Sequence, residues 1–315
     1  MRAATENTGI ATAHAAGERL ALLLSAAGEI VLGKPHELRL ATACMIAGGH
    51  LLVDDLPGTG KTTLANTLAH LSGLSHRRVQ FTADLLPTDI IGVSVYESAA
   101  SAFRFHPGPI FAQVVLADEI NRATAKTQSA LLEAMEERQI TSDGETHALP
   151  KPFFVIATRN PAEQIGVYPL PESQLDRFLM QISLGLPDAA TERRLLASGD
   201  RRVALLEHEP VLDAATIRSL QHTAAAVRVS EALLDYVQAL LAASRAPGLF
   251  RHGLSPRAGQ GLLSAARAYA LVEARGHVLP EDVQAVFPAV ATHRLDAGAE
   301  TAARVGEIVT TTPIP

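Results

Sequence analysis

The stretch LLVDDLPGTGKTTLA (51–65) constrains the chain more than any other. A short apolar run, LLVD, enters the turn LPGTGK, and TTLANTLAHL leaves it with helical spacing. Glycines in such a turn let successive backbone N–H groups converge on an anion, and the N-terminus of the following helix adds its positive end. In that setting Lys61 reaches the β- and γ-phosphates of a nucleotide, and the Thr62 hydroxyl binds Mg2+. Asp55 stands where this motif usually opens with glycine. Aspartate tolerates the left-handed backbone that such a position can require. Its carboxylate, however, repels a triphosphate unless it points away.

The first two thirds of the chain alternate strands and helices. HLLV (50–53), RRVQF (77–81), VVLA (114–117), FFVIAT (153–158) and LMQISL (179–184) read as buried strands, being short, apolar and bounded by polar or turn residues. Helical patterns between them imply a parallel sheet covered on both faces. From about residue 188 the strands stop and helices follow, with start signals at Ser230-Glu231 and at Pro280-Glu281-Asp282. The expected fold class is α/β: a nucleotide-binding domain over residues 1–187 and a small all-helical domain over 188–315. Two segments are not needed to build the sheet. One, near 89–106, has GVSVY and AFRF flanking ESAAS; the other, near 139–152, carries Asp143-Gly144, a strong hairpin turn.

Composition removes several function classes. The formal charge is −6 with no long basic run, which disfavours nucleic acid as the main partner. Cys44 is the single cysteine, so no intrachain disulfide or cysteine zinc cage can form; in ATACMIAGG it reads as a small buried hydrophobe. The N-terminal residues lack the pattern of a signal peptide, and no run reaches the ~18 apolar residues that span a bilayer. A cytoplasmic protein is expected.

The remaining chemistry lies at strand ends. VVLADEINRA places Asp118 and Glu119 at the sheet edge where phosphates bind, Asp118 to hold the metal and Glu119 to polarise the attacking water. A strand ending in solvated acids is the bland alternative, and the company of GTGKTT argues against it. Asn160, just past FFVIATR, can reach the γ-phosphate or its water, although Asn-Pro is also an ordinary turn. Arg177 in LPESQLDRF and Arg257 in GLSPRAG are candidate stabilisers of charge on transferred phosphate.

These segments together resemble the MoxR family of AAA+ ATPases. The similarity runs through LLVDDLPGTGKTTLA, RVQFTADLLPTDIIG, HPGPIFA, VVLADEINRATAKTQSALLEAMEERQITSDG, PFFVIATRNPAEQIGVYPLPESQLDRFLM and GLSPRAG, most of residues 30–184 plus the start of a later helix. The resemblance implies a Walker A loop at Pro57, Gly58, Thr59, Gly60, Lys61 and Thr62, continued by Thr63, and Walker B acids at Asp118 and Glu119. It implies sensor 1 at Asn160, an arginine finger acting across subunits at Arg177, and sensor 2 acting within the subunit at Arg257. Val31, Leu32 and Gly33 of IVLGK would pack on adenine, and the two hairpins correspond to inserts facing the pore or top of a ring. Asp55 is then a family-typical entry to the loop, whereas Arg159 departs from the glutamine common there. The implied activity is Mg2+-dependent ATP hydrolysis in a homo-oligomeric, hexameric ring that remodels a protein client. A partner with a von Willebrand factor A domain is expected. A nucleotide-gated scaffold with little turnover and a specialised activator of a metalloenzyme or carbon-fixing enzyme are the alternatives.

Overall fold

The computed structural model describes residues 2–99, 101–160, 166–197 and 201–314; Pro161, expected in a turn after Asn160, lies outside them. Two helices come first, α1 (Arg2–Ile30) and α2 (Pro35–Ile46). Strand β1 (Leu51–Asp54) leads through the glycine turn into α3 (Lys61–Leu71), and β2 (His76–Gln80) follows. A short helix, α4 (Pro87–Ile91), precedes the hairpin of β3 (Gly92–Glu97) and β4 (Ala102–Pro107). Next come β5 (Val114–Asp118), α5 (Ala125–Glu137), a second hairpin of β6 (Gln139–Ser142) and β7 (Glu145–Ala148), and β8 (Phe154–Arg159). The short α6 (Glu172–Leu175) leads to β9 (Met180–Ile182). Helices α7 (Ala189–Ala197), α8 (Arg201–Leu206), α9 (Ala214–Ala225), α10 (Glu231–Ser244), α11 (Pro256–Val272), α12 (Pro280–Ala291) and α13 (Thr301–Thr311) complete the chain.

All five apolar runs form one parallel sheet in the order β2-β5-β8-β1-β9. Strand alternation divides it into two cores. Leu51, Val53, Val114, Leu116, Phe154, Ile156, Met180 and Ile182 face one side with α1, α2, α3 and the C-terminal helices. Leu52, Val115, Ala117, Val155 and Ala157 face the other, with Leu131, Leu132 and Met135 of α5. Both faces are covered, which is why the strands read as continuous apolar runs.

Two features go beyond the sequence reading. The strands end near residue 187, but the packing does not break there: α11 packs on α1 and α2, and one core runs from Leu20 and Leu23 into Leu262 and Val286. The two hairpins also dock on each other, with the Phe105 ring stacked on His147 at 4.1 Å. Asp143 and Gly144 turn the second hairpin with φ of 52° and 83°, the left-handed pair that a tight two-residue turn needs.

His50, beneath β1, is buried; its Nδ1 accepts the Val155 N–H at 3.0 Å and its Nε2 meets the Met135 carbonyl at 3.3 Å. Burial pushes its pKa down to about 3. The unfolded chain therefore takes up a proton below about pH 6.5 that the folded chain refuses, so this stability is present above that pH and lost on acidification. Between pH 7 and pH 5, His50 should cost about 2 kcal/mol. Denaturant midpoints of wild type and His50→Gln at both pH values check this: the variant should lose less stability than wild type on acidification.

Candidate nucleotide site

The turn after β1 is built as a phosphate cradle. Gly58 and Gly60 have φ of 84° and 96°, and a Cβ at either would meet nothing within 4 Å. Conformation rather than crowding therefore selects glycine, and the loop's face is open to an anion. Gly60 is the N-cap of α3, which aims that helix's N-terminus at the same point. Lys61 Nζ donates to the carbonyls of Asp55 and Leu56, the latter at 3.0 Å. It is thus held across the loop it would serve.

The Asp55 carboxylate points away from the phosphate side. One oxygen accepts the Leu184 and Gly185 N–H groups, both at 2.6 Å, and the Ser183 hydroxyl at 3.3 Å; the other accepts the Leu56 N–H at 2.8 Å. Asp55 is buried and does not adopt a left-handed backbone. Its acid is a buckle between the loop and the chain leaving β9, and the backbone allowance considered from sequence is not needed. Arg159 is likewise engaged: its guanidinium pairs with Asp54 on the adjacent strand, Nε to Oδ1 at 3.1 Å.

Beside the loop lies a cavity of about 350 Å³ lined by Val31, Leu32, Gly58, Thr59, Gly60 and Thr63, and closed opposite by Leu195 and Leu196 of α7. Its apolar floor and glycine rim suit a purine next to phosphates. Gly33 is not in this lining. It turns the chain between α1 and α2 with φ of 71°, and a Cβ there would approach Thr191 to 2.9 Å.

Asp118 and Glu119 end β5 side by side, joined through Thr158. The Thr158 hydroxyl donates to Asp118 Oδ1 at 2.5 Å and accepts the Glu119 N–H at 2.9 Å. Asp118 Oδ2 takes Arg78 at 2.6 Å, while Glu119 accepts Gln80 at 2.7 Å and Arg122 at 3.0 Å. Glu119 has φ of 57° and caps a 3-10 turn, a backbone conformation uncommon outside glycine. Arg78, Gln80 and Thr158 escaped the sequence reading. Strand alternation carries their signal: Gln80 pairs in register with Asp118, and Arg78 lies two residues before it on the same face of β2. Asn160 is buried just beyond β8, beside this group.

The oxygen donors of Thr62 and Asp118 are the hard ligands that Mg2+ prefers, and among the described residues no group of three or more His, Cys, Asp or Glu could hold a metal. Such a set fits an ion completed by water and phosphates rather than a protein cage. Both Asp118 oxygens already have partners, so the acid suits contact through water.

The two arginines lie elsewhere. Met180 of β9 pairs with Leu51, the first residue of β1, in parallel register. Arg177 therefore sits before the sheet's entry edge, while the loop follows Asp54 at the exit edge. The length of β1 alone puts about 10 Å between those edges. Arg177 Nη1 donates to the Leu132 carbonyl of α5 at 2.6 Å. Arg257 joins it there, not at the loop: it makes two bonds to Glu136, at 2.8 and 2.6 Å, and lies 3.8 Å from the Asp176 carboxylate. Its hydrogen bonds to the Glu136 carboxylate raise its pKa, so the charge is secure. Arg257, expected to serve nucleotide in its own subunit, is in this structure paired with Glu136 at the entry edge.

Comparison with known proteins agrees with the fold. Residues 50–180 fit the ATPase family associated with various cellular activities (AAA), and residues 242–312 fit the AAA lid domain. Chaperone MoxR1 of Mycobacterium tuberculosis is 42% identical over 275 residues, covering 84% of this chain and 72% of that one. Protein MoxR of Paracoccus denitrificans is 36% identical over 290 residues, with 84% and 85% covered. The chain belongs to the MoxR family of AAA+ ATPases. A crystal structure from Cytophaga hutchinsonii superposes with a TM-score of 0.86 at 33% identity over 99% of both chains. Family membership implies nucleotide binding, and the MoxR fold accounts for the helical C-terminal region as a lid. No helix among the described residues is long and apolar enough to cross a membrane.

The buckle gives a direct test. Asp55→Ala strands two backbone donors at the end of β9 and should cost about 3 kcal/mol. Chemical denaturation reads the loss, and nucleotide titration should show weaker binding as the loop loosens. An unchanged midpoint would remove the buckle from the account.

Proposed function

We propose that this MoxR protein hydrolyses ATP, with Mg2+, at the interfaces of a homo-oligomeric ring, hexameric as the family resemblance implies. The observation that carries the reading is the separation of Arg177 from the phosphate loop of its own sheet. A charge stabiliser at the entry edge is useless to its own nucleotide and well placed for the exit edge of a neighbour. In this reading Arg257, held beside Asp176, also works across the interface.

The geometry supports the following roles within each site. Lys61 leaves the Asp55 and Leu56 carbonyls for the β- and γ-phosphates, and Gly58, Gly60 and the start of α3 surround them with N–H groups. Thr62 and Asp118 would hold Mg2+, which would supply positive charge to the phosphate oxygens. Glu119 accepts the proton of the attacking water, Asn160 orients that water, and Thr158 fixes the spacing of the two acids. Arg177 from the neighbour neutralises charge on the transferred phosphoryl group. A finger of this kind is worth about 10³–10⁵ in rate.

The cycle would drive remodelling or maturation of a protein client in the cytoplasm, with a von Willebrand factor A domain protein as the expected partner. The docked hairpins support a client surface, because Val93, Val95, Tyr96 and Phe103 are all exposed there.

Two experiments test the site. Glu119→Gln should keep ATP affinity while turnover falls by at least about 10²-fold; unchanged turnover would remove Glu119 from the chemistry. Arg177→Ala and Lys61→Ala subunits should each be inactive alone and regain turnover when mixed, because a mixed ring holds interfaces with both parts intact. Failure at every ratio would contradict a shared site.

A further inference from the structure

The segment that carries Arg177 is gripped from the lid by a second arginine. Arg294 follows α12 in a 3-10 turn, and its side chain is only 8% exposed. Its Nε donates to the Asp176 carboxylate at 2.7 Å. Its Nη2 donates to the Phe178 carbonyl at 2.7 Å and the Asp176 carbonyl at 3.2 Å. Its Nη1 reaches the Leu179 carbonyl at 3.1 Å, the Val290 carbonyl, and His293 Nε2 at 2.8 Å. Three of the four consecutive residues from Asp176 to Leu179 are therefore tied to one guanidinium, and the untied one is Arg177. Phe178 is fully buried beside it, and His293 Nε2 lies 2.9 Å from the Phe178 carbonyl.

We propose that Arg294 is a positioning residue for Arg177: it fixes the backbone on both sides of the finger and makes the finger's aim depend on the placement of the lid. The proposal rests on the reading of Arg177 as a finger acting on the neighbouring subunit's ATP. A planar fork with five N–H donors can hold several carbonyls and a carboxylate at once, which an ammonium cannot. Releasing it leaves the segment held by its backbone bonds to α6 and His50, by the buried Phe178 ring, by His293 and by the Leu132 contact, without the guanidinium that ties Asp176, Phe178 and Leu179 to one another. A misplacement of about 1 Å in a group that stabilises the transition state can cost on the order of 10² in rate.

The consequence differs from that of a general loss of structure. Arg294 touches nothing in the nucleotide cavity, so Arg294→Gln should bind Mg-ATP within about twofold of wild type while kcat falls about 10²-fold. Mixing it with Lys61→Ala subunits should restore turnover, because those subunits present a well-held Arg177 to the intact loop of the variant. Arg294→Lys should recover little. A kcat within twofold of wild type, or a loss that Lys61→Ala subunits leave unrepaired in folded rings, would overturn the proposal. If Arg294→Gln does not fold, Asp176→Asn, which removes the charged half of the grip, decides by the same readouts. Arg177→Ala separates the two readings. With wild-type turnover in that variant the finger itself fails; with turnover lost there but kept in the Arg294 and Asp176 variants, only the grip fails.

Discussion

Parallel pairing of β1 between β8 and β9 sets where everything else can be. Because all three strands run the same way, residues after β1, β5 and β8 gather at one edge of the sheet and residues before β9 gather at the other. The first edge collects the glycine loop, Asp118, Glu119 and Asn160. The second collects Asp176 and Arg177, together with Arg257 and Arg294 from the lid. No side-chain rearrangement exchanges these groups, since register in a sheet buried on both faces cannot slip without moving apolar residues to the wrong side. The separation of these two groups is thus a property of the topology, and it is what the proposed neighbour would answer.

The acids and arginines around this sheet illustrate how charge is kept usable at low cost. Asp55 sits next to the phosphate loop, yet its carboxylate is satisfied by three N–H groups and a hydroxyl on the far side. Arg159 is neutralised by Asp54, one strand away. Asp118 is held by Arg78 and Thr158, and Glu119 by Gln80 and Arg122, so neither acid faces the other uncompensated. Buried charges persist when they are paired and hydrogen-bonded, and each of these is.

Much of this was legible in the sequence, for reasons that particular residues make clear. Strands such as VVLA and FFVIAT stand out because both faces are buried, and Asp143-Gly144 announces its turn through the left-handed backbone it adopts. The loop, Asp118, Glu119 and Asn160 are readable because their positions at strand ends are local facts. What needed coordinates is non-local. The direction of Asp55 depends on backbone N–H groups about 130 residues away in the chain. Arg257 reads as a group near nucleotide until its bonds to Glu136 are seen, and Arg294 reads as an ordinary charged residue at a helix end. Helix α1 buries Ala13, Ala16, Leu20, Leu23, Ala27 and Ile30 at three- and four-residue spacing. Half of those are alanines, which mark a buried face and an exposed one equally well. The sharing of one core by α1, α2 and the lid was hidden for the same reason.

The central claim, that a competent site is made of two subunits, is tested most directly by turnover per subunit across a dilution series, with assembly followed in the same Mg-ATP buffer by sedimentation. The account predicts negligible turnover in the dissociated subunit, a rise that tracks assembly, and a plateau once rings are complete. Equal turnover per subunit in dissociated and assembled protein would contradict it.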